Sequence, residues 1–498
     1  MDKMSRSRVK TLLAVICILL AAPYTAAAAT YYVSPNGSDS NDGLSTKTPW
    51  GTLVHATKKM SGGDTLILMD GIYTSNCKDY SNCENQLIPP SGSPGNYTVI
   101  KAQNDWKAVI DGSGFPLWRY PIHIKNGSYI QIEGLKLVDG GGMTAVMVER
   151  SSYIKLMRLS ITNGVPYNAQ WGNVLSIANA SHHILVEDTW ISGAMRYGVL
   201  VIGDNDGPVS STTYKVILRR VVVRFDYIDS VEPKAAIAFY GADKASNGMV
   251  RDSMCQNCIV IDTNPANSYK NFYGAYYNPK ITENIKYYGS IALNIKASGL
   301  EFGSPYDAAG FYVTDNYSLS KGHELHNVVA WDVAGVGIRF DQGDSSGSGI
   351  VNQSTVGYST YGVMDTAKLP VTLQNSIIYN NAKPNAGVDI SKYNTYVPPS
   401  HAEGSNYKTT DPGLRYLVRT TDTGTGLNGM KIGADIEKRY GVSGTLWDEP
   451  GYDQLTNVPL WPWPYEDQIK KDFSASNVPP LGAYPPTNDT KRGFCAPG

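Results

Sequence analysis

Long apolar runs are almost absent from the 498 residues. The one candidate, Leu12 to Ala22, falls short of the ~20 residues that a membrane-spanning helix needs. It follows a basic start (Lys3, Arg6, Arg8, Lys10) and precedes the small-residue run Ala26 to Ala29. That order describes an export signal cleaved near Ala27 to Ala29, not an anchor, so residues 1–29 are read as a leader. Ile16 stands before Cys17 where a lipoprotein signal needs a small residue. The mature chain is therefore expected to have no membrane span and to be secreted, periplasmic or at the cell surface.

A charge excess is also missing. The chain has 43 Lys and Arg against 44 Asp and Glu, a net charge of −1. Such balance provides no long-range field for nucleic acid or anionic lipid, so a charged ligand must be met by a local cluster. Cysteine is scarce, at six. Cys17 leaves with the leader, and Cys77 and Cys83 flank a polar loop and can bridge in an oxidising compartment. Cys255 and Cys258 form a CxxC pair without the βαβ context of a redox motif, and Cys495 is left over. No four cysteines stand at metal-site spacing. Phenylalanine is rare at 9, whereas tyrosine reaches 34. A tyrosine ring can stack on a sugar while its hydroxyl stays wet, but tyrosine also simply covers β surface.

What is present is a repeat. SYIQIEGLKLVDG from Ser128 is followed by SYIKLMRLSITNG from Ser152, HHILVEDTWISG from His182 and TYKVILRRVVV from Thr213. Weaker copies begin at Met249, Glu283, His323 and Val371. Each is a short alternation of apolar residues, a bend residue, then a second alternation, which describes two strands meeting at a corner. The bend residues are Gly134, Arg158, Asp188, Arg220, Asn257, Gly289, Asn327 and Asn375. Gly and Asn suit left-handed backbone angles; Arg158 and Arg220 fit less well. A third alternation precedes each pair, as in Ala145 to Glu149, Ala235 to Tyr240, Gly310 to Thr314 and Gly335 to Asp341. Three strands of about five residues with their turns need roughly 20 to 24 residues, so longer spacings place the excess in projecting loops. The period specifies an all-β fold, a right-handed single-stranded parallel β-helix, or solenoid. A leucine-rich repeat lacks its consensus here, and a propeller would need four strands per unit.

The ends differ. Residues 30–100 are expected to form an N-terminal cap and the first rungs, with a cap helix over Thr52 to Met60. Residues 101–400 form the coil. Residues 401–498, containing Trp447, Trp461 and Trp463, form an irregular C-terminal extension lying on it.

The opening YYVSPNGSDSNDG…GDTLILMDGIY and the stacked phrases, over about Thr30 to Asn381, resemble the right-handed parallel β-helix superfamily of exported bacterial proteins, with its pectate-lyase and chondroitinase-B-like fold. The tail, with LWPWP, looks like that of a group of bacterial β-helix proteins in which it is a family marker and not a catalytic motif. The resemblance implies a fold shared by polysaccharide lyases, epimerases and inert members. The paired-Asp signature of polygalacturonase-type hydrolases and the Asp cluster of calcium-dependent pectate lyases are not visible. Ca2+ binding is a possibility at Asp204 and Asp206, or at Asp39 and Asp42, where Asx turns are the plainer reading.

The resemblance places substrate on the outward face of the third alternation. With Ile237, Phe239, Phe311, Val313, Ile338 and Phe340 inward, the outward set is Glu149, Ser176, Tyr240, Tyr276, Tyr312, Arg339 and Asp341. Tyr240, Tyr276 and Tyr312 on successive rungs would form an aromatic strip, either a sugar platform or an inert stack. Elimination at a uronate needs a cation for the carboxylate, a base for the C5 proton and an acid for the leaving oxygen. Arg339 is the candidate cation. Tyr312, Lys280 and His323 are candidate proton-transfer groups, and Lys234 and Asp341 candidate substrate contacts; Arg339 and Asp341 can equally pair with each other. A hydrolase would need two carboxylates, from among Glu301, Asp307, Asp315 and Asp341. The expectation is a monomeric β-helix protein that binds extracellular polysaccharide and, if catalytic, cleaves a uronate chain by β-elimination. The alternatives are a non-catalytic surface or adhesion protein and a glycoside hydrolase.

Overall fold

A computed structural model describes residues 28–475 except for several internal stretches, the longest being 163–171, 226–233, 264–271, 296–307, 342–348 and 398–425. The expected leader lies outside the described residues except for Ala28 and Ala29. Strands of one type stack only on their own kind, giving parallel sheets of 12, 12 and 10 strands among the described residues. One full coil is Thr144–Glu149 in the third sheet, Ser152–Met157 in the first and Ser160–Thr162 in the second. This is the parallel β-helix that the repeat specifies.

Alternation decides what fills it. On the first sheet Ile130, Ile154, Ile184 and Val216 are in register and fully buried, forming one continuous inner column. Burying each such side chain contributes about 1.5–3 kcal/mol. Ile237, Phe239, Phe311, Val313, Ile338 and Phe340 on the third sheet belong to the same core. At the N-terminus the helix Leu53–Lys59, capped by Thr52, covers the first rung with Leu53 and Ala56.

Every expected bend residue has a left-handed backbone, including Arg158 (φ 52°) and Arg220 (φ 52°). Gln353 (φ 52°) turns one more corner, between Gly349–Asn352 and Thr355–Gly357. That rung is not among the eight expected phrases. The arginines are tolerated because their side chains leave the coil and find partners. Arg158 Nε reaches Asp105 Oδ2 at 3.0 Å, and Arg220 Nε reaches Asp188 Oδ1 at 2.6 Å.

The bend column also holds the C-terminal segment, which runs back along the coil from its last rungs to its first. Leu427 N donates to Asn375 Oδ1 (2.7 Å), Asp435 N to Asn327 Oδ1 (2.5 Å) and Tyr440 N to Asn257 Oδ1 (2.7 Å). Arg219, fully buried, donates to the carbonyls of Val442 (2.7 Å) and Tyr452 (3.0 Å). Asp472 then collects Lys136 Nζ, Ser160 Oγ and Trp190 Nε1 at 2.7, 2.7 and 2.9 Å. Ile432, Ile436, Leu460, Trp463 and Phe473 pack on the outward side chains of the second sheet. Leu446 and Trp447 pack on Leu185, Ile217 and Met254 of the first.

At the centre of this strap Glu187 is fully buried, ion-paired to Arg219 and Arg220, and accepts Gly444 N at 2.7 Å. Burial raises its carboxyl's pKa, but Arg220 and Arg219 reverse that and hold it below the ordinary range. Removing one member of a buried ion group leaves the others uncompensated. Glu187→Gln is expected to lower unfolding stability by about 3–5 kcal/mol, read by denaturant titration. An unchanged midpoint would show that the strap is not anchored there.

Candidate functional site

The corners from third to first sheet and from first to second are tight at Glu149–Ser152 and Met157–Ser160. Returns to the third sheet are long: Thr162 to Asn173, Thr263 to Gly274 and Ile295 to Ala309. Later coils also carry long segments on the far side, such as Tyr240 to Val250 and Asp315 to His323. Connections therefore leave from both edges of the third sheet. Its outward cluster includes no residue of the C-terminal strap among the described residues. This is the face on which a site was expected.

Register identifies its columns. The central one runs His123, Met147, Ser176, Leu200, Ala238, Tyr277, Tyr312, Arg339 and Met364. Tyr277, not Tyr276, is thus the aromatic outward neighbour of Tyr312, with ring centroids 5.2 Å apart. Tyr276 is a correction to the expected strip. It pairs with Ile237 and Phe311, stacks on Phe311 at 4.4 Å inside the core, and donates its hydroxyl to the carbonyls of Cys258 and Ile291. Two adjacent tyrosines in an alternating strand must face opposite ways, and the phenol here finds acceptors inside.

Arg339, Tyr312 and Asp341 do meet. Asp341 Oδ2 accepts Arg339 Nη2 and Tyr312 OH, both at 2.5 Å, and its Oδ1 accepts Thr366 Oγ1 at 2.6 Å. The Arg339 guanidinium lies 4.4 Å from the Tyr312 ring centroid. All three expected residues are buried and bonded to one another.

His323 is a second correction. It is 2% exposed on the first sheet, where its strand turns it inward; Nδ1 accepts Ile285 N at 3.4 Å. Burial pulls its pKa down to about 4, so it stays neutral inside the coil and reaches no ligand.

Lys280 adjoins Tyr240, its ammonium 4.8 Å from the ring centroid and 2.8 Å from Asp243 Oδ2. Burial lowers its pKa, but Asp243 and Tyr240 outweigh this and raise it above the ordinary lysine value. It is a fixed cation, not a base. Lys234 stacks at 5.3 Å over the Tyr273 ring, and its N–H donates to the Arg196 carbonyl. Arg196 and Lys234 therefore occupy adjacent rungs.

Beside Arg196 and Tyr240 a cleft of about 470 Å³ opens on the N-terminal half of the face. Its floor includes Met147, Ser176, Leu200, Ile202 and Tyr240; Trp118, Asn173, Arg196 and Tyr197 also line it. Trp118 is 62% exposed and has a left-handed backbone (φ 63°), an unusual state for a bulky residue. At the cleft's N-terminal side, Glu149 Oε1 takes His123 Nε2 at 3.1 Å and Lys125 Nζ at 3.0 Å, and Oε2 takes Arg150 at 3.2 Å. The His123 hydrogen bond, helped by Lys125 and Arg150 against burial, holds Glu149 down to about 2. It remains a carboxylate at neutral pH and cannot serve as a hydrolase's general acid.

The sequence offered no signal for Trp118, which sits in an irregular connection, nor for Arg196, which precedes its strand. Tyr277 was visible as half of a tyrosine pair whose parity the sequence leaves open.

Among the described residues no group of three or more His, Cys, Asp or Glu can hold a metal ion. Asp204 accepts Gly207 N at 3.0 Å in a turn, and Asp206 lies outside the described residues. Asp39 binds Gly51 N, Thr52 N and Thr52 Oγ1, and Asp42 binds Leu44 N and Thr48 Oγ1. Cys77 and Cys83 form a disulfide, while Cys255 and Cys258 are buried thiols in the core. Glu301 and Asp307 lie outside the described residues. No helix among the described residues is long and apolar enough to cross a membrane.

Residues 31–190 match a protein family described as Pel9A-like, right handed beta helix region. The uncharacterized protein YwoF of Bacillus subtilis (strain 168) is 32% identical over 111 residues, 22% of this chain and 22% of that protein. The match thus spans about a fifth of that relative's length. Among solved structures, pectate lyase Pel9A is 17% identical with a TM-score of 0.43, over 86% of this chain and 96% of that one. A rhamnogalacturonan lyase is 14% identical with a TM-score of 0.44, over 86% and 97%. An alginate lyase from Paenibacillus sp. str. FPU-7 is 12% identical with a TM-score of 0.43, over 68% and 96%. These are similarities only; that the chain is a parallel β-helix is read from its own three stacked parallel sheets.

The buried His323 has a pH signature. Unfolded, it takes a proton near its ordinary value of 6.5; folded, only near 4. Its stabilisation is complete above pH 6.5 and is lost as pH falls toward 4, by roughly 3 kcal/mol in all. His323→Asn, which keeps an acceptor for Ile285 N, is expected to flatten that segment of a stability-against-pH curve. An unchanged slope would place the acid sensitivity elsewhere.

Proposed function

We propose that the outward face of the third sheet binds an extracellular uronate-containing polysaccharide, and that the cleft cleaves it by β-elimination. The observation that carries this reading is the in-register basic pair, Arg196 and Lys234, beside an aromatic-lined cleft on the face clear of the strap. The overall charge is balanced, so this local concentration of cations meets the requirement for recognising an acidic chain. Trp118, Tyr197 and Tyr240 supply ring surface for sugars. The disulfide fits the oxidising compartment in which such a polymer is found.

In the reaction Arg196, with Lys234, faces the uronate carboxylate and increases the acidity of the C5 hydrogen. The Tyr240 oxygen accepts that proton. The C5 electron pair forms the C4–C5 double bond, and the bond to the glycosidic oxygen at C4 breaks. A proton returned from the tyrosine neutralises the leaving oxygen. Tyr240 acts as its phenolate, and the Lys280 ammonium beside its ring stabilises that anion before it takes the C5 proton and again once the proton has passed to the leaving oxygen. Arg339, Tyr312 and Asp341 form the next stretch of the face, where their mutual pairing supports a rigid platform for the chain rather than the carboxylate binding expected of Arg339 or the proton transfer expected of Tyr312.

The test is a panel of uronate and neutral polysaccharides, with and without calcium, followed by ultraviolet absorbance of the unsaturated product and by reducing ends. A uronate polymer is expected to produce the unsaturated end. Tyr240→Phe should lower kcat by roughly 10²–10⁴-fold with binding retained, whereas Arg196→Ala should chiefly raise KM. Absence of both product and binding across the panel would sink the reading. Full turnover by Tyr240→Phe would sink only the role given to that tyrosine.

A further inference from the structure

Two polar groups on the third sheet are left unused by the protein itself. Thr144, Asn173 and Tyr197 are in-register neighbours on three successive strands. Thr144 is fully buried and Asn173 is 9% exposed. Asn173 Nδ2 donates to Ser176 Oγ at 3.2 Å. Asn173 Oδ1 and Thr144 Oγ1 have no hydrogen-bond partner among the described residues. Adjacent rungs are about 4.8 Å apart, so the two atoms belong to neighbouring positions of one column. Asn173 and Ser176 line the cleft.

An unsatisfied buried polar atom is unfavourable, because it has given up water without replacement. Other described side-chain atoms, such as Arg220 Nη1 and Asn278 Nδ2, are also buried without a partner, whereas the bend asparagines Asn257, Asn327 and Asn375 all have strap partners. The Thr144–Asn173 pair is distinguished by its register on adjacent rungs, with Asn173 lining the cleft.

We propose that Thr144, Asn173 and Ser176 form a subsite for a neutral sugar hydroxyl, which sets the register of the chain in the cleft. This rests on the carbohydrate reading above and deepens it. One hydroxyl can accept from Thr144 Oγ1–H and donate to Asn173 Oδ1. A carboxylate oxygen only accepts, so it would meet the Asn173 carbonyl lone pair to lone pair. The subsite thus takes a hydroxyl and leaves the uronate carboxylate to Arg196, one rung further along beside Tyr197, and to Lys234 beyond it. The cleft becomes polar along its length, and it admits the chain in one orientation.

Two variants test this: Thr144→Val, which keeps shape and removes the hydroxyl, and Asn173→Leu, which removes the amide. Each is measured for thermal stability and for affinity to galacturonate and mannuronate oligomers by calorimetric titration. Groups reserved for a ligand should be dispensable for folding. Thr144→Val is therefore expected to keep or raise Tm while binding the oligomer about tenfold more weakly, the loss of one good hydrogen bond. Asn173→Leu should weaken binding at least as much, and Thr144→Val carries the test if Asn173→Leu fails to fold. A lower Tm in Thr144→Val shows a structural role and overturns the proposal, as does undiminished affinity in either folded variant. A wild-type protein that binds neither oligomer sinks the carbohydrate reading and this subsite with it, whereas wild-type binding that survives both changes sinks the subsite alone.

Discussion

From Gly134 onward each coil turns from its first to its second sheet on a single residue held in the left-handed backbone region, and the rest of the molecule is arranged around that column. The conformation costs a non-glycine residue roughly 1–2 kcal/mol, yet Arg158, Asp188, Arg220, Asn257, Asn327, Gln353 and Asn375 all adopt it. What offsets the strain is the use to which the side chains are put. A sharp corner throws them outward, where Asn257, Asn327 and Asn375 capture backbone N–H groups of the returning C-terminal segment. The corner residues are the docking line for the strap.

That arrangement divides the surface. The strap covers parts of the first and second sheets, with Trp447 on one and Trp463 on the other. The outward cluster of the third sheet is left clear of the strap among the described residues, with the long connections at its edges. Its outward columns then acquire chemistry by stacking alone: residues far apart in sequence, such as Arg196 and Lys234, become neighbours because one rung separates them. The charge pattern within the face is also graded. Glu149 is locked by His123, Lys125 and Arg150, and Asp341 is shared by Arg339, Tyr312 and Thr366. Between these two satisfied networks lies the cleft. Binding groups belong in such a gap, because a residue whose hydrogen bonds are already made gains little from a substrate.

The fold was legible because it is local and repetitive. A period of alternating apolar residues with a bend is visible in one coil, and eight copies confirm it. Even the doubtful arginines at Arg158 and Arg220 were in the right register. The site was only partly legible. Glu149, Ser176, Tyr240, Arg339 and Asp341 face outward as alternation requires, but Tyr276 was misplaced by one residue beside Tyr277. Lys280 could be found as a cation near a tyrosine, yet whether it is a base or a fixed charge depends on Asp243 across the rung. His323 looked like chemistry and proved to be core, since a histidine in a strand carries no mark of which side it faces.

The sequence by itself determined the three-strand coil, its inner columns, the bend positions and the separation of an aromatic tail, because each depends on residues within a few positions of one another. Only the tertiary structure decided where the tail lies, which face it leaves open, and which of two adjacent tyrosines enters the core. It also decided that Thr144 Oγ1 and Asn173 Oδ1 stand on adjacent rungs without a hydrogen-bond partner among the described residues. Those outcomes depend on which residues share a rung. Loops of unequal length set that register, and no local pattern records how one loop shifts the next coil against its neighbour.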